Sequence, residues 1–452
     1  MAGGVWTSQN KVRPGAYINF ETEKVSNIEV GTRGIVTMAM ELDWGATDKL
    51  IEVTMNELLN GNSLASIGMM AGDDKSLLPT LALQNASILK LYRLNQDGVK
   101  ASLSISSGEE ESTSTLTVTA KYAGTFGNKI AILITPVSTE ETNTEFNVQT
   151  YANGYLVDVQ RVTTFDQLVN NEFVTFSGTG AAVAQTSTLL TGGTNGTAVE
   201  TPDYTDYFEL LKTARWNTLA VLHSNTNTSV ERFIETMRAD EGKYVQAVVA
   251  NDSQADFEGI INNINGVVLE DETTISAVQF TAWVAGATAG AEMNESLTGK
   301  VVTGAVSIVG LKSNAEIIDG LGKGEFLLSL NQDGAVKVEK DINSLHTFID
   351  KSYIFSKNRV IRELDEIGSS IESIWENTYL GKVTNNDNGR TLFKSSIIDY
   401  LTELQNRSAI DEFDVNNIIV EPGNDIDAVV ASIAVKPLDS MEFLYMTVNI
   451  NR

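Results

Sequence analysis

Residues 217–250 read NTLAVLHSNTNTSVERFIETMRADEGKYVQAVVA. Residues 217–222 and 244–250 are short apolar runs typical of buried strands, and residues 230–237 between them predict a helix. A strand, a helix and a second strand at this spacing indicate two parallel strands joined by a crossover helix. The stretch therefore predicts an α/β core with a parallel sheet, which we assign to residues 197–345.

The rest of this core has weaker patterns, which still predict helices and strands. Residues 256–263 predict another helix ahead of a strand at 266–269. Residues 276–290 predict a helix rich in Ala and Gly, and because Gly lowers helix propensity we expect close packing of this helix against a sheet or a second helix. Residues 326–330 and 335–339 flank an Asp-Gly turn and predict a β-hairpin.

The segments before the core differ from it in composition and in their strand and helix patterns. Residues 94–196 are rich in Thr, Ser, Val and Gly, and their short alternating runs predict an inserted β-sandwich or barrel domain. Residues 35–93 mix strand and helix patterns and predict a small α+β domain. Residues 1–34 predict an N-terminal arm.

The segments after the core predict a C-terminal α+β domain over residues 346–440 and a C-terminal arm strand over 441–452. Apolar residues recur at helical spacing in two runs, Val360, Leu364, Ile367, Ile371 and Ile374 and then Phe393, Ile397, Leu401 and Leu404. Strand patterns follow at 415–421 and 428–436. The predicted fold class is thus α/β and α+β multidomain with extended terminal arms.

Both arms carry a strand pattern without a partner nearby. In the first arm it consists of Ala16, Tyr17, Ile18, Asn19, Phe20 and Glu21. In the second, Leu444, Met446, Val448 and Ile450 face one way, and Tyr445 and Thr447 face the other. Soluble proteins normally protect strand edges, so these strands are expected either to complete the sheet of another subunit or to pair within the chain with residues 428–436. The pattern leaves both alternatives open.

The amino-acid composition excludes several classes of function. The chain has 32 Lys and Arg against 59 Asp and Glu, a formal net charge of −27, so direct binding to nucleic acid or to an anionic membrane is not expected. With no Cys and only two His, it lacks thiolate chemistry and multi-imidazole metal sites, and no metal or cofactor is expected. The first residues lack the apolar core of a signal peptide, and the most apolar stretch, 277–291, is too short to span a bilayer.

The best enzymatic candidate is His223, which follows a predicted strand where an α/β enzyme would place catalytic groups. No Gly-x-Ser-x-Gly elbow accompanies it. Residues 320–324 read GLGKG but lack the spacing of a phosphate-binding loop. We therefore expect no catalytic residues and no enzyme activity.

Four stretches together resemble one family, the sheath proteins of contractile phage tails and phage-tail-like bacteriocins, in the type found in prophages of Gram-positive bacteria. They are GGVWTSQNKVRPGAYINF at 3–20, AKYAGTFGNKI at 120–130, AWVAGATAGAEMNESLT at 282–298 and the arm at 441–450. The resemblance runs from end to end of the chain. Whether the particle is a phage or a bacteriocin stays open.

The resemblance implies a core similar in topology to subtilisin but without a catalytic triad, and a structural subunit that forms stacked hexameric rings around a tail tube. In such sheaths the N-terminal arm of one subunit and the C-terminal arm of another join a neighbour's sheet, which here means residues 16–21 and 442–450. The implied partners are the chain itself, the tail tube protein, and the baseplate and tail terminator proteins. The implied location is the virion tail, assembled in the cytoplasm of the host bacterium.

Charge suggests one further contact. Residues 351–407 hold eight Lys and Arg and eight Asp and Glu, whereas the rest of the chain carries the whole net charge of −27. We hypothesise that this region faces the tube, with Lys394 and Arg407 near tube carboxylates; the alternative is that these helices are merely less acidic. The main rival function is a secreted or surface-layer assembly protein, which the missing signal peptide disfavours, and a degenerate α/β hydrolase ranks third.

Overall fold

The computed structural model describes residues 2–4, 15–17, 33–107, 114–138, 144–196 and 204–450. Two short strands, β1 (Ala2–Gly4) and β2 (Gly15–Tyr17), pair in parallel near the start. Within the described residues this pair joins no other sheet. Ala16 and Tyr17 therefore lie in a strand, whereas Ile18, Asn19, Phe20 and Glu21 lie outside the described residues.

The next segment combines three strands with three short helices. The strands are β3 (Ile35–Met40), β4 (Ile51–Val53) and β5 (Ile88–Arg93). The helices are α1 (Met55–Asn60), α2 (Leu64–Ile67) and α3 (Leu77–Leu83). A capping box between Thr54 and Glu57 begins α1, because each residue's side chain accepts a hydrogen bond from the other's backbone N–H.

Seven strands then form two antiparallel sheets that enclose an apolar interior. They are β6 (Ser102–Ser107), β7 (Ser114–Ala120), β8 (Ile130–Pro136), β9 (Phe146–Ala152), β10 (Tyr155–Val162), β11 (Val174–Thr179) and β12 (Gln185–Leu189). The sheet orders are β10-β9-β8-β12 and β11-β7-β6. Leu116, Val118, Ile132 and Val148 alternate into the shared interior, which is the pattern of a sandwich.

The central region continues with nine strands and four helices. The strands are β13 (Thr218–Ala220), β14 (Gln246–Ala250), β15 (Ile260–Asn263), β16 (Gly266–Leu269), β17 (Thr274–Ile275), β18 (Ala305–Val309), β19 (Glu325–Phe326), β20 (Leu328–Leu330) and β21 (Val336–Val338). The helices are α4 (Thr205–Thr213), α5 (Asn227–Ala239), α6 (Ala277–Gly290) and α7 (Asn314–Gly322).

A seven-stranded sheet in the order β19-β15-β14-β13-β3-β5-β4 forms the centre of the molecule. All neighbours are parallel except β4 and β5. The predicted parallel strands joined by a crossover helix are confirmed as β13, α5 and β14, and the predicted hairpin is confirmed as β20 and β21. The fold is a mixed α/β multidomain structure.

This sheet corrects the prediction of a separate small domain over residues 35–93. Strand β3 lies between β13 and β5, with Val36 opposite Thr218 and opposite Leu89. Residues 35–93 therefore supply three strands of the core sheet, and the β-sandwich is inserted between two parts of one core. The predicted helix at 256–263 is also wrong, because residues 260–263 form the buried strand β15.

Helix α6 packs closely against α3, as its Ala and Gly content predicted. A Cβ atom added to Gly286 would lie 2.1 Å from the carbonyl oxygen of Ala82, and one added to Gly290 would lie 1.9 Å from that of Asn85. No real Cβ approaches a backbone oxygen so closely. The two glycines are therefore required where the backbone of α6 contacts the end of α3 and the residues that follow it.

Replacing Gly290 with Ala is expected to destabilise the protein by at least about 2 kcal/mol, since the new methyl group must displace the backbone near Asn85. Gly322→Ala is the matched control, because Gly322 ends α7 with open space around it and should tolerate or gain from Ala. Urea unfolding midpoints measure both. Equal midpoints for the two variants would contradict this account of the α3–α6 contact.

The C-terminal part contains two helices and a two-stranded antiparallel sheet. They are α8 (Asn358–Ile374), α9 (Asp387–Asn406), β22 (Ile418–Pro422) and β23 (Val429–Ile433). The apolar stripe of α9 is buried as predicted, but in α8 Leu364 and Ile371 are only partly buried. In the part of the chain that the structure describes, no helix has the length and apolarity needed to cross a membrane.

Candidate assembly surface

Residues 441–450, the C-terminal arm, run along the surface in a conformation with no strand partner among the described residues. Leu444, Tyr445 and Ile450 are 84%, 92% and 89% exposed, and Met446, Thr447 and Val448 are exposed as well. A run of large apolar side chains exposed in this way marks a surface that another molecule covers. The arm is therefore the first candidate for an assembly contact.

The arm is attached to the body at Glu442. The Glu442 carboxylate accepts a hydrogen bond from the Lys357 ammonium and a second one, of 2.8 Å, from the Thr298 hydroxyl. Lys357 also lies 3.1 Å from the Asp439 carboxylate. The Glu442 side chain is only 6% exposed, whereas the next residue, Phe443, is 70% exposed. The root of the arm is thus held by buried charge, and the exposed part begins at Phe443.

The sheet of β22 and β23 is the second candidate surface. It has only two strands, and the outer edge of each has no ladder partner among the described residues. Its inner face packs on α9 through Ile418, while Ile419 and Val430 on the outer face are exposed. The alternative in which residues 428–436 pair with the C-terminal arm of the same chain is wrong, because residues 441–450 form no ladder with β23 or with any other described strand.

Beneath the arm root, α8 carries a buried charged face. Arg362 is fully buried, and its guanidinium donates to the Asp341 carboxylate at 2.7 Å and to the Glu295 carbonyl at 2.6 Å. Asp341 also accepts from the side chain of Asn358 and from the backbone N–H of Leu297. These bonds join α8 to the central region. Sequence reasoning missed them, because charges between the apolar positions of a helix normally indicate a solvated face.

Glu363 lies on the same buried face, paired with Arg359 at 3.3 Å. Burial raises the pKa of Glu363 from 4.5 to about 8, and the Arg359 charge opposes this shift only in part. A carboxyl whose pKa is raised by folding binds its proton more tightly in the folded state. The stability that it contributes is therefore present below pH 4.5 and is lost as the pH rises towards 8.

Glu363→Gln is therefore expected to have little effect on stability at pH 5 and to stabilise the protein by at least about 1 kcal/mol at pH 9, where the wild-type carboxylate is charged. Urea unfolding of both proteins at the two pH values measures the difference. A difference that does not change with pH would contradict the raised pKa.

A polar cleft of about 730 Å³ separates α8 from the core sheet and receives the base of the N-terminal arm. Arg33 lines it together with Asp365 and Glu366 of α8. Burial, together with the Arg362 charge, lowers the pKa of Arg33 to about 10. The following backbone is held by Asn217, whose side-chain oxygen accepts from the N–H groups of residues 34 and 35 at 3.1 and 3.0 Å.

The two predicted tube-facing residues do not form one patch. Lys394 is partly exposed on α9 and has no ion pair among the described residues. Arg407 ends the same helix and pairs with Glu403 at 2.5 Å. Thirteen residues separate the two, which corresponds to about 20 Å along the axis and to nearly opposite sides of the helix.

The two histidines have local partners. The Nδ1 atom of His223 is 3.2 Å from the Tyr204 hydroxyl, and burial lowers the pKa of His223. The Nδ1 atom of His346 lies 3.4 Å from the Asp256 carboxylate and 2.9 Å from the Ser344 carbonyl oxygen. The Ser344 hydroxyl donates to the Phe257 carbonyl and not to a histidine ring.

Comparison with known proteins gives matches along most of the chain. Profiles of three phage tail sheath domains match it, the β-sandwich domain over residues 96–195, the central domain over 197–344 and the C-terminal domain over 350–451. The phage-like element PBSX protein XkdK of Bacillus subtilis strain 168 is 34% identical over an alignment that covers 100% of both chains.

Solved structures of sheath proteins are similar in fold to this chain. The crystal structure of a sheath tail protein from Desulfitobacterium hafniense is 38% identical, with a TM-score of 0.79 over 95% of this chain and 98% of that one. The helical sheath of the anti-feeding prophage in its contracted state shares the fold at 11% identity, with a TM-score of 0.57 over 97% and 99% of the two chains. The family predicted from the sequence is confirmed, and this chain belongs to the phage tail sheath protein family.

Proposed function

We propose that the chain is the structural subunit of a contractile tail sheath that assembles as stacked hexameric rings around a tail tube and contracts to drive the tube through the host envelope. The observation that carries this proposal is the C-terminal arm, held at Glu442 and exposed from Phe443 onward. In this role the core, with its proposed subtilisin-like topology, acts as a scaffold and not as a catalyst.

The arms link the subunits in this proposal. The C-terminal arm of one subunit and the N-terminal arm of another add to the sheet of β22 and β23 in a third. Two observations support it: in the part of the chain that the structure describes, this sheet has two unpaired edges, and the C-terminal arm alternates its side chains as a strand does. Each backbone hydrogen bond contributes only about 0.5–1.5 kcal/mol net, but a donated strand makes several together.

Contraction then needs no nucleotide. The extended sheath is metastable and is held by contacts with the tube and the baseplate, with the tail terminator protein at the opposite end. Release lets subunits rotate into a shorter and wider lattice with more buried interface, and this free-energy difference drives the tube. The subunits assemble in the cytoplasm of the host bacterium and become part of the virion tail.

The tube contact is assigned to α9, with Lys394 as the stronger candidate because Arg407 is already paired with Glu403. Lys394→Glu is expected to weaken sheath assembly on tubes at least about tenfold and to spare tube-free sheath, and Arg407→Glu should have a smaller effect. Lys323→Glu is the control, because Lys323 directly follows helix α7, is exposed and pairs with Asp319 as Arg407 pairs with Glu403. Co-sedimentation with tubes measures binding, and unchanged binding of the Lys394 variant would rule out this contact.

Negative-stain microscopy of the purified full chain tests the function itself. Long hollow tubes are the expected result. Flat lattices would instead favour the surface-layer alternative, and a monodisperse monomer at high concentration would contradict both assembly functions.

A further inference from the structure

The position where the C-terminal arm leaves the body depends on a small number of contacts. The last backbone hydrogen bond that the described part of the chain makes to the body is donated by Leu438 to the Ala409 carbonyl, at 3.1 Å. Between residues 439 and 450 the backbone has no ladder partner among the described residues, so side chains hold this segment. Three of the contacts at its root are made by Lys357 and Thr298, which receive the carboxylates of Asp439 and Glu442. Lys340 adds a weaker contact, with its ammonium 5.7 Å from the centre of the Phe443 ring.

Lys357 is suited to this role because its own position is fixed. It is the residue before the first turn of α8, its side chain is 9% exposed, and its backbone N–H donates to the Ile354 carbonyl. The following turns of α8 are joined to the central region by two buried ion pairs. These are Arg362 with Asp341, and Arg238 with Asp365, the latter through two bonds of 2.7 and 2.9 Å.

Lys357 and Thr298 together form a socket for the Glu442 carboxylate, and Thr298 provides its second side. Its hydroxyl donates to Glu442 and accepts from the backbone N–H of Asp341, the residue that also pairs with Arg362. The socket for Glu442 is therefore built from both the central region and α8. The Glu442 carboxylate is thus held between Thr298 of the central region and Lys357 at the start of α8.

We propose that Lys357 is the positioning residue of the C-terminal arm, which sets the point and the direction in which residues 443–450 leave the subunit. This inference rests on the proposed function, because the arm acts by reaching a neighbour's sheet. A fixed root keeps the arm at a high effective concentration near its target, whereas a loose root spreads it over a larger volume.

Removing the Lys357 charge should release the arm and not unfold the domain. Glu442 and Asp439 lie on a segment that can swing into water, so their carboxylates need not stay buried without a partner. Lys357→Met keeps most of the length of the side chain and removes its charge, whereas Lys357→Arg keeps the charge. Lys436→Met is the matched control, because it breaks an exposed Lys–Asp pair close to the same arm.

Spin labels can measure the root directly, since the chain has no native Cys. One label replaces Met441, which is fully exposed, and the other replaces Leu392, which is 58% exposed on α9. The distance distribution between them should be narrow in the wild type, the Lys357→Arg variant and the Lys436→Met variant, and at least twofold broader in Lys357→Met and Glu442→Gln. A Lys357→Met distribution as narrow as that of the wild type would overturn the proposal.

Assembly provides the second measurement. Lys357→Met should raise the protein concentration needed for tube formation about tenfold, with its melting temperature unchanged, and Lys357→Arg should restore the wild-type value. Wild-type chain that forms no tubes would contradict the proposed function, while the spin-label result would still test Lys357. Wild-type tubes together with normal assembly of the Lys357→Met variant would overturn the positioning role alone.

Discussion

Truncation after Glu442 is expected to abolish tube formation while leaving the subunit folded. Most side chains between Phe443 and Ile450 are at least 70% exposed, so their removal costs few contacts within the chain. Between subunits the same residues would supply a whole strand, with several backbone hydrogen bonds and the burial of four aliphatic side chains on one face. Their loss should raise the concentration required for assembly at least about a hundredfold.

Sedimentation velocity and negative-stain microscopy measure this result side by side. The matched control removes only residues 451–452 and should assemble normally. A separate deletion of residues 1–21 should also prevent tube formation, because strand exchange needs both arms. Normal tubes from the chain truncated after Glu442 would rule out the C-terminal arm as a link, and a large fall in its melting temperature would show that the arm stabilises the subunit itself.

Local patterns predicted the features that a short stretch of sequence specifies by itself. The order β13, α5 and β14 follows from residues 217–250, since a short crossover connects neighbouring parallel strands. The close packing of α6 follows from Gly286 and Gly290. The exposed C-terminal arm follows from the alternation between Leu444 and Ile450, which has no partner nearby.

Pairing between strands that are far apart in sequence could not be predicted from local patterns. Strand β3 lies beside β13, about 180 residues later, and nothing in either short apolar run specifies the other. The error at 256–263 has a local cause, because the buried residues Asn262 and Asn263 hide a strand pattern behind polar side chains. Their amides donate to backbone carbonyls at Asp252, Asn265 and Ala277, which offsets the cost of burial.

At the candidate site, too, contacts between residues far apart in sequence were not predicted. The arm residues were found, but their root was not, because Lys357, Thr298 and Glu442 are far apart in sequence. The charged face of α8 was also missed, since a helix with Arg and Glu between apolar positions has the same pattern whether water or protein covers it. Only the three-dimensional contact of α8 with residues 295–341 distinguishes the two.

Arg362→Met is expected to destabilise the protein by about 3–5 kcal/mol. The Arg362 and Asp341 side chains are both 0% exposed, so removal of the guanidinium leaves a buried carboxylate without its counter-charge. Unlike Asp439 and Glu442, Asp341 lies inside the body and accepts from Asn358 and Leu297, so it cannot move into water. Urea unfolding, followed by tryptophan fluorescence, measures the loss.

Two further variants separate the buried charge from a general loss of packing. Arg161→Met breaks an exposed pair with Glu145 and should cost less than about 1 kcal/mol. The double variant Arg362→Met with Asp341→Asn removes both charges and should recover part of the loss, because replacing a whole buried pair costs less than breaking it. If the double variant were less stable than Arg362→Met alone, packing and hydrogen bonding at Asp341 would dominate over its charge.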